Sequence, residues 1–186
     1  MECQWIHSAT PQPIHASTPP LDRRVQNLLE WGGQMDTKAL LIEDTARAQE
    51  ALLESKRVAI LGIKPEDHAM QPAYYVSEYL HKNGYDVIPV PVYYPDCREI
   101  LGKPVCRKLT EVGPVDMVIV FRKPNDIPQH VDDIIAAKPK YVWFQLGIRN
   151  EDAAQRLAEA GIGVIQDKCS MVEHRRAIAR QRTPSG

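Results

Sequence analysis

Arg57-Val58-Ala59-Ile60-Leu61-Gly62-Ile63-Lys64 sets a short unbroken apolar run against a glycine. Such a run has no alternation of apolar and polar residues, so it predicts a strand buried on both faces, as in parallel sheets. The pattern that follows repeats this unit. Pro72–Asn83 reads as a helix with Tyr75, Val76, Tyr79 and Leu80 on one stripe, stopped by Asn83-Gly84. Val87–Val90 is the next strand. Pro89, Pro91 and Pro95 force an irregular segment, and Glu99–Cys106 is expected to add a short strand near the sheet edge. Val115–Phe121 gives a third buried strand, followed by a helix over Pro128–Ala137 whose start reads as Asp126-x-x-Gln129. Tyr141–Phe144 is a strand, Asn150 caps a helix that runs to Gly161, and Ile162–Ile165 is the last strand. Strands and helices alternating at this spacing predict right-handed crossovers and a three-layer α/β fold with a doubly wound, mainly parallel sheet.

Upstream, residues 1–20 are rich in Pro, Ser, Thr and His and are expected to form a flexible tail. Leu21 opens a helical pattern with Val25, Leu28 and Leu29 that stops at Gly32-Gly33, and a second covers Asp44–Leu53, closed by Glu54-Ser55-Lys56. The expected organisation is therefore a helical lead-in over 21–55, one domain over 56–176 and a C-terminal tail over 177–186. A chain of 186 residues with 44% hydrophobic and 25% charged residues suits one domain with extensions. A net charge of −1 provides no broad positive field, which argues against nucleic acid or an anionic membrane as partner. Cys3, Cys97, Cys106 and Cys169 lack metal-site or disulfide spacing, and no apolar run reaches bilayer length. A cytoplasmic location is expected, with import into an organelle left open; oligomeric state does not follow.

Ligands of doubly wound sheets bind beyond the carboxyl ends of the strands. There Gly62 permits a sharp turn, while the helix from Pro72 aims free N–H groups and a positive dipole end at whatever lies above it. That arrangement suits a phosphate or diphosphate, with Lys64 as a nearby charge. The alternative is a plain strand-to-helix turn with a solvated lysine. The G-x-G-x-x-G fingerprint is missing, and Asp86 stands at the wrong end of its strand to meet a ribose, so NAD is disfavoured. The missing G-x-x-x-x-G-K-[ST] pattern argues against a nucleoside-triphosphate hydrolase.

An ordered series of segments carries a family resemblance: Arg57–Ile63 (RVAILGI), Glu99–Val105 (EILGKPV), Val115–Phe121 (VDMVIVF), Trp143–Asn150 (WFQLGIRN) and Asp167–Arg176 (DKCSMVEHRR). Over about residues 56–176 the chain resembles the stand-alone CoA-binding proteins, whose Rossmann domain is similar to the CoA-binding domain of the succinyl-CoA synthetase alpha subunit. The resemblance implies that Gly62, Ile63 and Lys64 line the phosphate loop, that Pro72 and Ala73 begin its helix, and that Val90 leads into an adenosine-side loop. It further implies that Phe121 flanks the adenine, that Arg122 meets a phosphate, and that Gln145, Gly147 and Ile148 face the cofactor. Core packing, a surface charge and a turn requirement are the alternatives for Phe121, Arg122 and Gly147. The chain departs from the family where Ala73 replaces a common serine and Pro91-Val92 replaces Asn-Pro.

Cys169, just past the last strand, is a candidate redox thiol for exchange with the cofactor's own thiol, the alternative being a small semi-buried cysteine. His174, in Glu173-His174-Arg175-Arg176, lacks the Gly-rich setting of the synthetase's phosphohistidine and reads as part of a polar C-terminal helix. No catalytic triad or metal-ligand set stands out. The expected function is non-enzymatic binding of coenzyme A or an acyl-CoA. The alternatives are an oxidoreductase using an NAD(P)-type nucleotide and a partner-recognition protein with a vestigial nucleotide site.

Overall fold

The computed structural model of the chain describes residues 37–182. The tail expected over 1–20 and the helix expected from Leu21 to Gly33 lie outside the described residues. A single turn, α1 (Thr37–Leu40), leads to Leu41, which bridges in parallel to Val164. Helix α2 (Thr45–Glu54) starts at Asp44, whose side chain accepts the Arg47 N–H at 2.7 Å and so satisfies one orphan donor of the first turn. There follow β1 (Arg57–Leu61), α3 (Pro72–Lys82), β2 (Asp86–Val90), β3 (Glu99–Ile100), β4 (Lys103–Pro104) and β5 (Met117–Val120). Then come α4 (Val131–Ala137), β6 (Tyr141–Phe144), α5 (Glu151–Glu159), β7 (Gly163–Ile165) and α6 (Ser170–Arg182).

The main sheet has the order β2-β1-β5-β6-β7, and every pairing in it is parallel. Its strands are apolar along their length because both faces are covered. Ala59, Leu61, Val118, Val120, Val142 and Phe144 face α4 and α5. Val58, Ile60, Met117, Ile119, Tyr141 and Trp143 face α2 and α3. This is the expected three-layer, Rossmann-like α/β fold. The chain leaves β1 for β2 on one side and later returns to place β5 on the other, so the topological switch point lies between β1 and β5. Asp116 fastens the opposite end of these strands: its carboxylate accepts the Lys56 and Arg57 N–H groups, both at 2.8 Å, which holds its pKa below the usual carboxylate range.

Several local expectations are corrected. Glu99–Cys106 does not extend the parallel sheet; β3 and β4 form their own antiparallel hairpin, tied to β2 by a bond from Cys106 N to Pro89 O. The stretch before α4 is two 3-10 turns, Pro124–Asp126 and Pro128–His130, with no side-chain cap from Asp126. The Asp126 carboxylate is drawn instead to Arg122, and Gln129 donates to the Asp126 carbonyl. On α3 the buried face carries Tyr74 and Val76, while Tyr75 is 38% exposed. Helix α6 continues through Arg182 with Ala177 buried, so the tail expected from 177 is helical over most of its length. The described residues, 37–182, belong to one compact unit, which includes α2 as well as α6.

Candidate functional site

A cleft of about 450 Å³ opens at the carboxyl ends of β5 and β6, beside the start of α3. It is lined by Pro72 and Ala73 of α3, Phe121 and Arg122 after β5, Gln145, Gly147 and Ile148 after β6, and Cys169 before α6. Gly62 makes this convergence possible. Its φ is +87°, and a Cβ there would stand 2.5 Å from the Phe121 carbonyl oxygen and 3.1 Å from Cδ of Arg122. Only a residue without a side chain lets the end of β1 pass so close to the end of β5.

Arg122 lies across the switch point, 7% exposed. Its Nη2 donates to the Tyr93 hydroxyl at 3.2 Å and to Asp126 at 3.1 Å, and its guanidinium sits 4.9 Å from the centroid of the Tyr93 ring. Its Nε is buried with no hydrogen-bond partner. A desolvated guanidinium with an unused donor is costly unless another acceptor arrives. Beside it begins α3, with Pro at its first position and a capping residue, Gln71, that gives no side-chain bond to the first turn. The Gln71 side chain instead accepts from Lys64 Nζ. The Tyr74 and Tyr75 N–H groups are bonded to the Gln71 carbonyl, at 2.9 and 3.1 Å, and Pro72 has none, so the Ala73 N–H and the helix dipole are what the start of α3 adds beside Arg122.

The opposite wall is the loop after β6. Gln145 is 4% exposed, donating through Nε2 to the Ser170 hydroxyl at 2.5 Å and accepting the Ser170 N–H at 3.2 Å. Its amide is thus a strut to α6. Gly147 has φ +77°, and its N–H donates to Asp167 at 2.6 Å. Phe121 lines the cleft and also packs against the core.

Most residues singled out in the sequence meet in this cleft, but not all. Gly62 lies beneath its wall, Ile63 has its side chain wholly in the core, and Lys64 is held by Gln71. Val90 borders a second cleft of about 260 Å³, with Tyr93, Arg107 and His130. The sequence reading missed Tyr75, Leu146, Tyr93 and Asp167. Tyr75 and Leu146 were within reach as large apolar residues flanking assigned positions; Tyr93 and Asp167 act through partners distant in sequence. The polar reading of α6 is also corrected. Glu173 and His174 are buried: Glu173 accepts from Gln49 at 2.6 Å, and His174 Nδ1 meets the Tyr79 hydroxyl at 2.9 Å. Burial depresses the His174 pKa. Among the described residues no group of acidic, His and Cys side chains could hold a metal, and no helix is long and apolar enough to cross a membrane.

Residues 56–175 match the model of a family described as a CoA binding domain. The chain is 35% identical over 130 residues to the uncharacterized protein YneT of Bacillus subtilis (strain 168), spanning 69% of this chain and 93% of that one. The solved structure of cell-free ID.343 from Thermus thermophilus aligns with a TM-score of 0.65 at 36% identity, covering 72% of this chain and 98% of that one. A hypothetical protein from Pyrococcus horikoshii OT3 gives a TM-score of 0.65 at 30% identity, covering 73% and 92%.

Proposed function

The chain belongs to the CoA binding domain family, and we propose that it is a non-enzymatic holder of coenzyme A or an acyl-CoA, bound in the cleft at the switch point. The observation that carries this reading is the meeting of Arg122, buried with Nε unpartnered, and the uncapped start of α3 on one cleft. A diphosphate would compete with Asp126 for the Arg122 guanidinium, which that carboxylate pairs at 3.1 Å, and would accept from the Ala73 N–H at the positive end of the helix dipole. Ala73 in place of a serine removes one hydroxyl, but its own N–H remains. In this reading the main chain of Gly62, Ile63 and Lys64 borders the phosphates, Phe121 flanks the adenine, and Gly147 and Ile148 face the ligand. Val90 shapes the neighbouring pocket, and Gln145 acts by holding its loop. When bound, the cofactor would supply the thiol or thioester; the protein's part is to hold and orient it.

Binding without turnover is favoured by the state of His174, packed edge-on against Tyr79 and Tyr85 and not among the residues lining the cleft. The NAD(P) alternative is weakened by Asp86, whose carboxylate lies at the start of β2, engaged by Lys103 at 2.8 Å and Arg57 at 3.3 Å. Isothermal titration of the full chain with CoA, acetyl-CoA, a longer acyl-CoA and NAD(P)H tests the proposal. Saturable binding of a CoA species, competed by free CoA, is expected. No heat and no competition at millimolar ligand overturns it, and tighter binding of NAD(P)H transfers the case to an oxidoreductase.

A further inference from the structure

Asp167 lies outside the core and is solvent-exposed, yet its φ is +55°. That left-handed conformation is uncommon for a residue with a side chain, although Asp and Asn enter it more readily than the others, and local hydrogen bonds can hold it there. Here two bonds do so, both to the loop after β6. The Asp167 carboxylate accepts the Gly147 N–H at 2.6 Å, and the Asp167 N–H donates to the Ile148 carbonyl at 3.2 Å. Struts on either side complete a latch: Ser170 with Gln145, and Gln166 Oε1 accepting the Asn150 N–H at 2.9 Å. Between them stands Leu146, 69% exposed on the cleft lining. So exposed a side chain gains little from packing, so its place at the mouth is fixed by the main-chain bonds of its neighbours. Gly147, which donates its N–H to Asp167, is itself at positive φ.

We infer that Asp167 is a positioning residue for the ligand, holding Leu146, Gly147 and Ile148 in the shape that forms one wall of the cleft. Its role in affinity rests on the reading of the cleft as a CoA site. The carboxylate touches no ligand in this scheme; it acts through the Gly147 N–H.

The test compares Asp167→Gly with Asp167→Asn in the full chain, by CoA titration, thermal denaturation and amide hydrogen exchange. Glycine removes the acceptor but relieves the backbone strain, whereas asparagine keeps a side-chain oxygen and tolerates positive φ. Asp167→Gly should therefore melt no lower than the parent while its Kd for CoA rises about tenfold, in the range of one charge-assisted hydrogen bond. Asp167→Asn should restore most of the affinity. Without ligand, the Gly147 amide should exchange faster in Asp167→Gly than in the parent and regain protection in Asp167→Asn. An Asp167→Gly protein that binds CoA like the parent, or loses affinity only in step with its melting temperature, overturns the inference. If the parent itself fails to bind CoA, the ligand reading falls, and the exchange rate decides the latch: unchanged exchange at Gly147 overturns it.

Discussion

Substituting Gly62 by alanine strikes the tightest of the approaches made at the described glycines. Its φ of +87° carries a cost of about 1–2 kcal/mol for a residue with a side chain. The added methyl would lie 2.5 Å from the Phe121 carbonyl oxygen, which belongs to the main chain and cannot swing aside as a flexible side chain does. Parting β1 from β5 to relieve that contact resembles overpacking a core, roughly 1–3 kcal/mol. Together these amount to about 2–5 kcal/mol, or a fall in melting temperature on the order of 10 °C for a chain of this size. Arg122 moves with the carbonyl, since its Cδ is 3.1 Å from the same methyl. CoA affinity measured well below the new transition should therefore fall as well, in protein that is still folded. Circular dichroism melting and isothermal titration on the same preparation give both readings. An alanine variant with the parent's melting temperature refutes the account of Gly62, and one that melts low but binds CoA like the parent refutes its link to Arg122.

His174 predicts an acid-side loss of stability. Burial puts its pKa in the folded state below the ordinary 6.5, so the unfolded chain takes up a proton first as the pH falls. The stability it contributes is full above about pH 6.5 and drains away toward its lower folded pKa. His130 is shifted in the same direction by burial and by Arg122. Denaturant titrations between pH 5 and 7.5 should show a shallower slope in His174→Gln than in the parent, and an identical slope would refute the assignment. At Cys169, bound CoA should slow alkylation by iodoacetamide while Cys97 and Cys106, which do not line the cleft, keep their rates. CoA disulfide provides the redox arm of that experiment: attack by the Cys169 thiolate would release one CoA and leave a mixed disulfide. Finding no such adduct by mass spectrometry removes the redox role.

The strands were legible because burial on both faces leaves unbroken apolar runs, and Tyr141–Phe144 has the boundaries read from it. Asn150 was legible as a cap for a local reason, since its side chain accepts the N–H three residues on, from Ala153 at 2.9 Å. What escaped depends on partners remote in sequence. Asp126 looks like a cap until Arg122 claims its carboxylate. The run Glu173-His174-Arg175-Arg176 looks solvated until Gln49 and Tyr79 supply buried polar partners. Around the cleft, a one-dimensional reading could not separate Arg122, on the lining, from Ile63, which turns into the core, nor foresee that the amide of Gln145, also on the lining, is spent on Ser170.

The outer strands of the sheet are each occupied by more than their inner neighbour. On β2, Pro89 has no N–H to offer, and its carbonyl accepts from Cys106 at 2.9 Å; on β7, the Val164 carbonyl accepts the Ile42 N–H at 2.8 Å. A sheet blunted at both margins is a poor template for strand recruitment, the route by which open sheets polymerise into aggregates. The short segment before α2 covers the main chain of β7 at Val164, and cutting it away would uncover that edge to other molecules.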